Sequence, residues 1–208
     1  MPIVTRYVSE REYVFSPNVL GFPSIQGCHA VVYVTDGGLF GFHNAGGEMP
    51  DKYGPRAAAF AAFVAGHPSG GAPGRAIYCA CYATPRNSGS GNFSVRAYPQ
   101  PRKEAWTAEA AAFAAAVGFT NGPIYGFDFG QSDHTGLSAY SEFARTGATC
   151  VIQVKPWSEA DKTTAVNTDH VNIQYLSGNG PGLTNQTRTT ITAVNPAGLK
   201  TVYPERLR

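Results

Sequence analysis

The stretch Gln26-Gly27-Cys28-His29-Ala30-Val31-Val32-Tyr33-Val34-Thr35, followed by Asp36-Gly37-Gly38 and then Leu39-Phe40-Gly41-Phe42-His43-Asn44, decides the fold. Val31 to Val34 is β-branched and aromatic, the composition of a strand packed on a pleated surface. Asp36-Gly37 supplies the left-handed residues that a tight hairpin turn takes. Leu39 to Phe42 then pairs back on the first arm. A hairpin folded at Asp36-Gly37 brings its outer ends together, so Cys28 meets His43 at the open end. A thiol beside an imidazole is a nucleophile beside a base. Gly27 lets the backbone turn sharply or approach a ligand just before the thiol, as an oxyanion site requires.

Working outward, Gly54-Pro55 to Ala65 reads as a helix, with Pro55 in the first turn and an apolar stripe of Phe60, Phe63 and Val64. Trp106 to Val117 reads as a second Ala-rich helix, with Thr107 as the capped start and Gly118 as the stop. Strands are expected at 76–82, 124–129, 149–154, 171–176 and 188–194, with a short one at 93–98. Residues 138–145 read as a strand or a short helix. The order of hairpin, helix, strand, helix and further strands predicts an α+β fold. Its layered, mostly antiparallel, sandwich-like β-sheet is covered by the two Ala-rich helices. One domain over residues 1–208 is expected, with residues 1–20 as an N-terminal strand or arm, 20–155 as the core and 156–208 as C-terminal strands.

Hydrophobic residues make 43% of the 208-residue chain and charged residues only 14%, which excludes a disordered polar chain. The net charge of +2, with scattered lysines and arginines, gives no electrostatic footprint for nucleic acid. No apolar run is long enough to span a membrane, and Met1-Pro2-Ile3-Val4-Thr5-Arg6 has no basic stretch followed by an apolar one, so no signal peptide is expected. The four cysteines are expected as free thiols. Cys79 and Cys81 lie two apart in an apolar strand, share a face, and read as core packing; the spacing is one short of a zinc pair, and no metal or cofactor is expected. His29 points to the opposite face from Cys28. His67 and His170 read as surface, and Asp133-His134 as a loop pair. No serine sits in a nucleophile elbow, and no phosphate loop or dinucleotide fingerprint is present.

Gly27-Cys28-His29-Ala30-Val31-Val32 and Gly41-Phe42-His43 together resemble the cysteine deamidase superfamily. That superfamily includes the chemotaxis receptor glutamine deamidases and the catalytic domains of the cytotoxic necrotizing factor toxins. Phe127-Asp128-Phe129-Gly130 stands where the receptor enzymes carry an Asp-x-Gly, and the resemblance covers roughly residues 20–155. It implies Cys28 as nucleophile and His43 as base. The orienting third member would be Ser24, in the place of a receptor-enzyme threonine, or a backbone carbonyl, as in the toxin branch. Main-chain N–H groups at Gly27, Cys28 or a nearby loop would hold the oxyanion, and Asn44 either lines the site or caps the strand end. The expected activity is deamidation of an exposed Gln or Asn on a protein substrate, by a monomer acting as a bacterial effector or toxin. Such a protein would stay in the bacterial cytoplasm or leave by a specialised system into a target cell. The same dyad serves a cysteine peptidase, an amidase or a transglutaminase. A binding module, with Cys28 as core, is the reading from a different class.

Overall fold

A computed structural model describes residues 4–45, 50–83, 102–177 and 182–208. Strands β1 (Thr5–Tyr7), β2 (Glu12–Ser16), β3 (Val19–Ile25), β4 (Cys28–Thr35) and β5 (Gly38–Ala45) come first. Helix α1 (Pro50–Gly66), β6 (Gly74–Cys81), helix α2 (Arg102–Ala116) and β7 (Ile124–Asp128) follow. After them run β8 (Ala139–Thr146), β9 (Thr149–Pro156), β10 (Lys162–Asn167), β11 (Ile173–Ser177) and β12 (Gly182–Thr184). The chain closes with β13 (Arg188–Val194), β14 (Lys200–Val202) and β15 (Glu205–Arg206).

These form an eight-stranded sheet in the order β12-β11-β2-β5-β4-β6-β7-β15 and a five-stranded sheet in the order β1-β3-β8-β9-β14. A separate ribbon pairs β10 with β13. Pairing is antiparallel except for β1 with β3 and β6 with β7. The parallel β6–β7 pair needs a long crossover, which contains α2.

Side-chain alternation sorts the central hairpin into two cores. Val31, Tyr33, Phe40 and Phe42 face both helices, meeting Phe60 and Phe63 from α1 and Phe113 from α2. The Tyr13 and Phe42 rings stack 4.2 Å apart there. Ala30, Val32, Val34 and Leu39 face the five-stranded sheet, meeting Leu20, Phe22, Phe143 and Ile152. Among the described residues the fold is thus an α+β layered sheet: two α-helices, a large mixed sheet, and a smaller sheet behind it.

Several local expectations change. The hairpin does turn through Asp36-Gly37, but the positive φ falls on Gly38, at 149°. Helix α2 begins at Arg102, and the Thr107 hydroxyl donates to the Lys103 carbonyl at 2.6 Å, so it bonds back along the helix instead of capping it. Residues 139–146 settle as strand. His67 is buried, its ring 4.0 Å from that of Phe15, so it belongs to the core and not the surface. The strand expected at 93–98 lies outside the described residues.

Candidate active site

Strand β4 pairs with β5 in the register Cys28↔Ala45, His29↔Asn44 and Ala30↔His43. Alternation therefore points Cys28 and His43 toward the five-stranded sheet, and His29 and Asn44 toward the helices. Cys28 and His43 are diagonal neighbours on one face, a relation that holds Cβ atoms about 7 Å apart or less, within reach of long side chains.

The His43 ring is oriented from behind. Its Nδ1–H donates to the Val8 carbonyl oxygen at 3.0 Å. A carbonyl only accepts, so Nδ1 carries the proton and the neutral ring keeps its lone pair on Nε2. Nε2 is buried and makes no hydrogen bond to any described residue. Burial holds the His43 pKa down at about 4, against the partial support of the Val8 hydrogen bond. The ring is thus a neutral imidazole at neutral pH, with a free basic nitrogen. The peptide that orients it is itself fixed, because the Val8 N–H donates to the Gly21 carbonyl at 2.8 Å.

Cys28 is half-buried where the chain leaves β3 and enters β4 through Gln26 and Gly27. A Cβ added at Gly27 would meet nothing within 4 Å, so open space lies beside the peptide that precedes the thiol. Ser24 is exposed with φ at 56°, inside the irregularity where β3 loses register with β8. Left-handed backbone at serine is uncommon and strained, and here it re-aims the chain from one sheet to the other. The ring nitrogen of His43 is held by the Val8 carbonyl instead, the second of the two orienting groups expected.

Asn44 is placed on the opposite face from His43 and cannot line the same pocket. Its Nδ2 donates to Glu109 Oε1 at 2.9 Å, and its Oδ1 accepts from Arg56 at 2.8 Å. His29 Nδ1 meets the same carboxylate at 2.8 Å. Ligand atoms of His29, Cys79 and Glu109 lie within 4.8 Å of one another, all buried, a donor set that a metal ion accepts in principle. Glu109 was not expected here. The signal lay in α2 itself: Trp106, Glu109, Ala110 and Phe113 follow helical spacing, so Glu109 is a charge on the apolar stripe.

The other thiols are poorly placed for chemistry. Cys79, Cys81 and Cys150 are buried, and burial pushes the Cys150 thiol up to about 12. Asp128, from the Asp-x-Gly-like segment, accepts from the Ala83 and Gly130 amides at 3.0 and 2.8 Å.

No family model matches the chain, and no curated protein or solved structure matches it either. Among the described residues, no helix is long and apolar enough to cross a membrane.

Proposed function

We propose that the protein is a cysteine-dependent amidohydrolase that deamidates an exposed Gln, or Asn, on a protein substrate. The observation that carries this reading is His43. It is a buried neutral imidazole with Nδ1 tied to a backbone carbonyl and Nε2 unpartnered, on the same face as the half-buried Cys28. A nucleophile, a base and an orienting acceptor are the three parts that covalent acyl chemistry needs.

In the first half-reaction His43 Nε2 takes the Cys28 proton as Sγ bonds to the carboxamide carbon. The negative charge collects on the amide oxygen, where N–H groups of Gly27 and Cys28 would hold it, about 3 kcal/mol for each well-aimed donor. The C–N bond then breaks, His43 returns the proton to nitrogen, and ammonia leaves. In the second half-reaction His43 deprotonates water, which attacks the thioester. The C–S bond breaks, the thiol is restored, and Glu or Asp remains. The open space beside Gly27 supports entry of a side chain presented on a protein surface. An acceptor amine in place of water would make the same site a transglutaminase. The resemblance to receptor deamidases and necrotizing-factor toxins supports a bacterial effector or toxin role.

The test incubates a target-cell lysate with the wild-type protein or Cys28→Ser and reads peptides by mass spectrometry. Amide-to-acid gains of about one dalton per site, present only with wild type, are expected for hydrolysis at the acyl carbon. Chain cleavage at the same positions would instead indicate a peptidase. An unmodified lysate, together with a Cys28 that reacts with iodoacetamide no faster than Cys150, would reject the dyad and leave a binding module.

A further inference from the structure

Directly behind the dyad, on the helix face of the same hairpin, sits a buried polar chain that the deamidation chemistry does not use. His29 follows Cys28 and Asn44 follows His43, and the two are paired opposite each other in the ladder. One carboxylate, Glu109 of α2, accepts from Asn44 Nδ2 at 2.9 Å and contacts His29 Nδ1 at 2.8 Å. Arg56 of α1 donates to Asn44 Oδ1 at 2.8 Å and also to the Ala45 carbonyl, the residue that pairs with Cys28. The chain therefore joins both helices to the two peptides that carry the nucleophile and the base. The Tyr53 hydroxyl, from α1, feels the same carboxylate, and Cys79 approaches it from β6.

Strand ends far from a turn are where a hairpin opens most easily, because local opening is cheapest at termini. The dyad stands at that end, at the furthest point from Asp36-Gly37. A diagonal pair reacts only if its two strands keep register within a fraction of an ångström, since small misplacements of reacting groups cost about a hundredfold in rate. A buried carboxylate with both its cross-strand partners satisfied resists such slippage, because parting them would strand a desolvated charge.

We infer that Glu109 is a positioning residue for the Cys28–His43 pair: with Asn44, His29 and Arg56 it clamps the open end of the β4–β5 hairpin, so that thiol and imidazole stay aligned. This inference rests on the dyad reading above, and the experiment separates the two. Cys28 is alkylated with iodoacetamide over a range of pH in wild type, Glu109→Gln and Arg56→Gln, each checked for a cooperative unfolding transition. Wild type is expected to show its acid limb below the ordinary thiol range, because the neutral His43 ring takes the Cys28 proton as Sγ is alkylated. Glu109→Gln is expected to react at least about tenfold more slowly at neutral pH, with its limb displaced toward the ordinary thiol value of about 8.5. Arg56→Gln should move the same way by less, and it serves alone if Glu109→Gln does not fold. A clamp that only stabilised the fold would lower the unfolding midpoint and leave the limb of the folded molecules in place. That result, with a normal wild-type profile, overturns the positioning role and keeps the dyad. A wild-type Cys28 with an ordinary limb rejects the dyad, and the positioning role goes with it.

Discussion

His43 and Glu12 titrate abnormally in opposite senses, and each leaves a separate mark on stability. The folded His43 pKa, about 4, lies below its ordinary 6.5 because burial opposes the charged ring. The unfolded chain therefore binds that proton first. The contribution of His43 is intact above pH 6.5 and falls away as pH drops toward 4. Glu12 runs the other way: burial raises its carboxyl from 4.5 to about 7, only partly offset by the Ser9 amide. Its contribution is intact below 4.5 and is lost as pH rises through 7. Glu12→Gln removes the second effect alone. The variant is expected to gain up to about 3 kcal/mol over wild type above neutrality and nothing in mild acid, by the linkage of pKa to stability. Urea midpoints at the two pH values measure this, and equal gains at both would reject the assignment. At the thiols, His43→Ala should slow Cys28 alkylation at neutral pH by about a hundredfold or more, the usual worth of a positioned base. Cys150 should stay unlabelled in both proteins, which peptide mapping after alkylation reads directly.

At the scale of elements, the hairpin was legible because its two signals, a β-branched run and a glycine turn, act locally. The sequence also made clear that Cys28 and His43 would share its open end. What it concealed was which residue bears the unusual backbone. Gly38 takes φ of 149°, and a Cβ there would lie 2.7 Å from the Ser16 carbonyl oxygen, a backbone atom of the neighbouring β2. A Cβ at Gly37 would meet Ala72 and Ser69 side chains at 3.1 Å, a milder crowding. Gly38→Ala is thus expected to destabilise by about 1 to 3 kcal/mol, as forced backbone outliers do, and Gly37→Ala by clearly less. Thermal unfolding of the two variants side by side decides it; the reverse order would relocate the strain. The start of α2 was misread for a related reason. Thr107 has the chemistry of a cap, but a hydroxyl within a helix finds the carbonyl four residues back just as readily. Glu109, two residues further on, sits on the buried stripe of the same helix. The orienting group for His43 could not be named from side chains at all, because it is a main-chain carbonyl brought in by tertiary pairing.

Over the whole molecule, the C-terminal quarter completes sheets that the first three quarters leave open. Strand β11 covers the outer side of β2, β14 covers β9 and β15 covers β7. Ile173, Tyr175 and Leu176 are buried in doing so, and Tyr175 stands opposite Glu12 in the ladder. The sequence showed residues 156–208 as strands, but it gave no way to assign their partners, because pairing between strands distant in sequence is set by edge availability and not by local pattern. A chain ending at Pro156 would present three unpaired edges, those of β2, β7 and β9. It would also leave the apolar side chains beneath them wet. Exposed edges of this kind pair with other copies. The truncated chain is therefore expected to aggregate or to lose its cooperative transition, although Val8, Cys28, His43 and Glu109 are all retained in it. Size-exclusion chromatography with thermal denaturation checks this. A soluble truncated monomer with the wild-type Cys28 alkylation profile would show instead that the last strands are an appendage. The site would then belong to a smaller autonomous core formed by residues up to 156.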